Sequence, residues 1–120
     1  MPTLGQHRAA ARANELLAVH LASTEWKDWA AVVGFYTAMH WVDAYFADRI
    51  NFHPRDHSTR ERAVANTRDL DLIAAQYLAL RRTCDRVRYS LAKLSDAEIT
   101  TLLQDDVRRV REHVEGLLRS

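Results

Sequence analysis

The stretch WKDWAAVVGFYTAMHWVDAYFADR, residues 26–49, limits what this chain can become more than any other feature. Turned through about 100° per residue, it places Val32, Phe35, Met39, Val42 and Phe46 on one apolar line. A second line takes Trp26, Trp29, Val33, Tyr36, His40, Asp43 and Ala47. The remaining surface is mostly Ala31, Gly34, Ala38, Trp41 and Tyr45, and little beyond Lys27, Asp28 and Asp48 asks for water. A helix that is apolar nearly all round is buried nearly all round, so this rod is expected at the centre of an assembled helical body. Ala31, Gly34 and Ala38 let another helix come close, with Trp41 and Tyr45 as flanking anchors. These five residues are therefore expected in a homodimer interface. The alternative is that the N-terminal helix and a short third helix cover the rod within one chain.

The rest of the sequence supplies further helices and no strands. Three glycines and two prolines leave few breaks. A first helix is expected from about Leu4 to Ala22, with Leu16, Leu17 and Leu21 on a stripe that also takes His20. The second runs from a cap at Ser23 or Thr24 to Arg49. Ser58-Thr-Arg-Glu61 reads as a capping box opening a short third helix to about Asn66, and Ser95-Asp-Ala-Glu98 as a second box opening the fifth, to Leu118. Between them a fourth helix, from Asp69 or Asp71 to about Leu91, carries Leu70, Ile73, Tyr77, Leu80, Cys84, Val87 and Leu91 as a packing seam. The fifth offers Ile99, Leu103, Val107, Val110, Val114 and Leu117. Pro54 fixes the only real loop. The expectation is an all-α, four- to five-helix antiparallel bundle forming one domain over residues 1–120.

At this length the chain buries roughly two-thirds of its unfolded surface and needs no staples. Its single cysteine, Cys84, fits core filling in a reducing compartment. No apolar run approaches the roughly 18 residues of a membrane span, and no secretory signal is evident. A cytoplasmic protein with no membrane association and no cofactor is expected. A Gly-rich phosphate loop, a Ser/His/Asp order, a CxxC pair and an HExxH are all absent, which disfavours the common hydrolase and oxidoreductase classes.

Fifteen of the seventeen basic residues are arginine, the better fork for phosphate. Arg81, Asp85 and Arg88 share one stripe of the fourth helix, and Arg82, Arg86 and Tyr89 the next. Such a surface can hold phosphates with a base stacked on the tyrosine ring, and Arg55, Arg60 and Arg62 could extend it. Ion pairing between helices is the competing use.

The order of these elements resembles a HEPN-type domain, an all-helical family of higher-eukaryote and prokaryote nucleotide-binding proteins. Small prokaryotic members show F-Y-x-A-x-H-x-x-x-A in the second helix, a histidine-bearing loop, and R-Y near the end of the fourth. The corresponding residues are Phe35, Tyr36, Ala38, His40 and Ala44, then His57, then Arg88 and Tyr89. The resemblance covers about residues 25–115. It implies a helical bundle, commonly dimeric, associated with RNA or nucleotides in stress, toxin–antitoxin or defence modules, sometimes beside a minimal nucleotidyltransferase partner. It also adds His57 to the candidate phosphate-binding residues.

RNA-cleaving members pair an arginine with a histidine separated by four to six residues. The match here, and the candidate catalytic pair of a divergent metal-independent endoribonuclease, is Arg108 with His113. Residues five apart on a regular helix point about 140° away from each other, and nothing in DDVRRVREHV is expected to break the helix. A binding or regulatory role is therefore preferred. His40 and Asp43 lie one turn apart in line with Tyr36, so a buried imidazole held by a carboxylate and a tyrosine hydroxyl is expected. With His53 and His57, His40 and Asp43 are also the candidate ligands of a metal, were this a small metal-binding bundle.

Overall fold

The computed structural model describes residues 1–119, and every regular element among them is helical. Helix α1 spans Leu4–Ala22, α2 Trp29–Arg49, α3 His57–Asn66 and α4 Ala74–Ser90, with a short 3₁₀ helix at Arg68–Ile73 leading into α4. The C-terminal rod is α5 at Asp96–Thr101, a π-helical turn at Leu102–Val107 and α6 at Arg108–Arg119. The expected helical bundle is what forms. Among the described residues no helix is long and apolar enough to cross a membrane.

Helix starts follow local side-chain chemistry. Thr3 and Gln6 close a reciprocal capping box on α1, and Ser95 and Glu98 do the same on α5 (Ser95 N to Glu98 Oε1, 3.0 Å; Glu98 N to Ser95 Oγ, 3.1 Å). The box expected at Ser58 does not form. Asp56 caps α3 instead, its carboxylate accepting from Thr59 N at 2.7 Å, so α3 begins at His57. The end of α2 turns through Asn51 at φ 49°, with Phe52 N bonded to Phe46 O and the Phe52 ring against Phe46.

Helix α2 is central and enclosed. Phe35, Trp41, Val42 and Phe46 are shut off from solvent, in one core with Tyr77, Leu80 and Cys84 of α4 and Val107, Val110 and Val114 of the rod. Only its two ends are wet: Trp26 falls before the helix, Trp26 and Trp29 are both exposed, and Asp48 and Arg49 face solvent at the other end. The homodimer seam expected at Ala31, Gly34, Ala38, Trp41 and Tyr45 is corrected, because the chain itself buries all five. A Cβ on Gly34 would stand 2.9 Å from Leu102 and 3.4 Å from both Leu103 and Val107, so the close-approaching helix is the chain's own C-terminal rod.

Two stripes also shift. In α1 the inward face is His7, Ala11, Ala18 and Leu21, while Leu16, Leu17 and His20 face outward. Small residues let α1 lie close on α2, which the leucine stripe would have prevented. In the rod, Leu102 and Val107 are both buried although five residues apart. An α-helix would splay them, and the π turn returns them to one face.

Candidate phosphate-binding surface

Each arginine expected at a working surface has a distinct surrounding. Arg60, on α3, is 6% exposed. Its guanidinium forks onto Asp43 of α2 (Nε to Oδ1, 2.8 Å; Nη2 to Oδ2, 3.2 Å), and Nη2 also donates to Pro54 O at 3.1 Å. That is a buried, bidentate ion pair tying α3 and the proline loop to the central helix. Arg60 is therefore removed from the phosphate-binding set. Arg81 is withdrawn for a related reason. It donates to Glu61 at 2.9 Å and Asp85 at 3.1 Å while lying over the Phe35 ring, so α3 and α4 use it as a clamp.

The end of α4 is different. Arg88 Nη1 donates to the Tyr36 hydroxyl at 3.2 Å, and its guanidinium carbon lies 5.0 Å from the centre of the Tyr89 ring. Tyr89 is 69% exposed, and Arg82 and Arg86 lie open to solvent on the same two turns. Arg55 is exposed in the proline loop. Tyr36 in turn packs edge-on to His57 at the start of α3, ring centres 6.1 Å apart. His57 is half-buried, also against Phe35, and its Nδ1 is buried without a hydrogen-bond partner among the described residues. Burial, reinforced by Arg81 and Arg60, lowers its pKa and favours the neutral ring. Tyr89, Arg88, Tyr36 and His57 thus form one continuous row across α4, α2 and the start of α3. A polar, cationic and aromatic row of this kind can pair with phosphate oxygens through arginine and stack a base on the exposed tyrosine.

The other expected groupings dissolve. Asp43 does not hold His40 and Tyr36, since Arg60 occupies its carboxylate and Arg88 the Tyr36 hydroxyl. His40 instead faces His7 of α1. No three of the chain's His, Cys, Asp and Glu side chains group to hold a metal among the described residues, so His40, Asp43, His53 and His57 are not a ligand set. His53 contacts Asn51 at 3.2 Å. Arg108 and His113 part as their spacing requires: Arg108 folds back onto Gln104 O, whereas His113 reaches Asp69 O at 2.6 Å. The helix is disturbed at 102–107, just before this pair, but is regular between its members.

Two partners were missed in the sequence. Asp69 accepts from the buried Tyr45 hydroxyl at 2.7 Å. His7 carried a signal, because it stands one turn before Ala11 on the small-residue face of α1.

No family model, curated protein or solved structure matches this chain.

Proposed function

We propose that this chain is a HEPN-like helical protein that binds RNA or nucleotides through the row Tyr36, His57, Arg88 and Tyr89, with Arg82, Arg86 and Arg55 as outlying phosphate contacts. It acts as a binding or regulatory component of a stress, toxin–antitoxin or defence module. The observation that carries the reading is the exposed Tyr89 ring beside Arg88, which is itself held by the Tyr36 hydroxyl. Tyr36, His57 and the adjacent pair Arg88–Tyr89 come from three separate stretches of sequence, yet the resemblance selects all four residues and they lie in one row. Arg82 and Arg86 meanwhile have no carboxylate within ion-pair distance among the described residues.

The test is fluorescence anisotropy of a labelled single-stranded RNA at two salt concentrations. Each phosphate contact to a single strand adds about 0.7 to the slope of log affinity against log salt, so binding should weaken steeply as salt rises. Tyr89→Ala should lose about 1–3 kcal/mol of binding through lost stacking, and Arg88→Ala should flatten the salt slope. Absence of binding at low salt, or binding indifferent to both substitutions, removes the proposal.

A further inference from the structure

His7 of α1 and His40 of α2 point their Nδ1 atoms at each other across 3.1 Å, with ring centres 5.4 Å apart. The separation of the centres equals the nitrogen–nitrogen distance plus one ring radius on each side. The two rings therefore meet head-on, their Nδ1 axes lying along one line. Two such axes do not converge on a point beside the pair where a cation could sit. A zinc-like ion on the line would need the nitrogens about 4 Å apart, twice a typical metal–imidazole bond of about 2.0–2.1 Å. The gap instead fits a single shared proton, donated by one Nδ1–H to the lone pair of the other.

That arrangement counts protons. With both rings neutral, one carries its proton at Nδ1 and the other at Nε2, and the link is intact. One added proton settles on the outer nitrogen of the donor ring and keeps the link, because the other ring's lone pair still accepts the Nδ1–H. A second leaves no lone pair between the rings and sets two N–H groups and two charges against each other. His40 is the less buried partner and takes the first charge; His7, 7% exposed, resists the second.

The surroundings favour the neutral pair. Desolvation is the largest influence on both rings and lowers both pKa values from 6.5. The Asp43 carboxylate of α2 acts the other way, Arg60 of α3 opposes protonation of both rings, and His53 of the proline loop and His40 oppose that of His7. Asp43 and Arg60 are locked to each other and act in opposite directions, and burial, the largest influence on both rings, decides. The stability held by the neutral pair is full above the unfolded value of 6.5 and is lost as pH falls from there toward the lowered native values.

We infer that the His7–His40 pair is a proton-operated latch, which holds the N-terminal half of α1 on α2 while it carries at most one extra proton and lets it go when both rings are charged. Release stays local because the later part of α1 has separate ties to α6: Arg12 to Glu115, and Glu15 to Arg111. What opens is the surface of α2 beneath a cavity of about 500 Å³ lined by Met1, Pro2, Gln6, His7, Ala10 and His40.

Amide hydrogen exchange, corrected for the intrinsic pH dependence, tests the latch. Each unit by which the second protonation is depressed corresponds to about a tenfold change in the opening equilibrium. Protection at residues 5–11 should therefore be progressively lost between about pH 7 and about pH 5, the range in which histidine charges. Residues 38–46 of α2 should keep theirs. His7→Gln and His40→Gln, neither of which can carry both charges, should diminish the pH-dependent loss at 5–11 whatever their effect at neutral pH. Unchanged protection at 5–11 in the wild type would overturn the inference. So would an undiminished loss in both variants, or simultaneous loss at 5–11 and 38–46.

Discussion

Arg60 and Arg88 are the same residue put to opposite uses on neighbouring elements. Arg60 is folded under α3 and spends its guanidinium on Asp43 and Pro54 O. Arg88 lies open at the end of α4, steadied by one neutral hydroxyl and one aromatic face. The first arginine cannot reach a ligand without leaving a buried carboxylate alone. The second presents its remaining donors to whatever arrives. An arginine-rich composition therefore says little until each guanidinium has been assigned its partners, and in this chain the assignment separates a structural set, Arg60 and Arg81, from an open set, Arg82, Arg86, Arg88 and Arg55.

The largest expected effect comes from breaking the buried pair on one side. Asp43→Ala leaves the Arg60 charge buried and alone, and should cost about 3–5 kcal/mol in urea unfolding. The double variant Asp43→Leu with Arg60→Met should recover most of that loss, since an apolar pair of similar volume removes both desolvation penalties. Arg86→Ala, its open-set counterpart, should stay within about 0.5 kcal/mol of wild type in the same measurement. If Arg86→Ala proves the more damaging, the division of arginines is wrong.

Two buried tyrosines sharpen the contrast at smaller scale. Tyr45 donates to the Asp69 carboxylate, and burial with that bond pushes its pKa up to about 12. Tyr77 is fully enclosed, and its hydroxyl has no hydrogen-bond partner among the described residues. Tyr45→Phe should lose about 1–2 kcal/mol, whereas Tyr77→Phe should be neutral or mildly stabilising. Thermal melts of the two variants side by side check this directly.

The smallest effect lies at the helix ends. Asn51 and Leu91 both hold positive φ, at 49° and 56°, and each closes its helix with a bond from the following residue's N–H, Phe52 to Phe46 O and Ala92 to Arg86 O. Asparagine tolerates that conformation; leucine does not, and Leu91 is exposed. Leu91→Gly should stabilise the chain by about 1 kcal/mol in urea unfolding, with no loss of packing.

The enclosure of α2 was legible because nearly every turn of Phe35–Phe46 offers apolar side chains to all sides. The Ser95–Glu98 box was legible because its chemistry is local. What covers α2 was not legible. Leu16 and Leu17 look like better core residues than Ala11 and Ala18, yet close helix approach favours the alanines, and hydrophobicity alone ranks them the wrong way. The π turn at 102–107 has no signature in LLQDDV and exists because Leu102 and Val107 both find room beside Gly34. The partners of Asp43 and His40 were misread for one reason. Residues one turn apart on the same helix were matched first, while Arg60 and His7 reach them from other elements.

The account rests on α2 being enclosed by its own chain, and hydrogen exchange of the amides in 38–46 at neutral pH, followed over a dilution series, tests that most directly. It predicts exchange only through global unfolding, at a rate independent of protein concentration. Protection that weakens as the protein is diluted would mean that a second copy supplies the cover, and would contradict it.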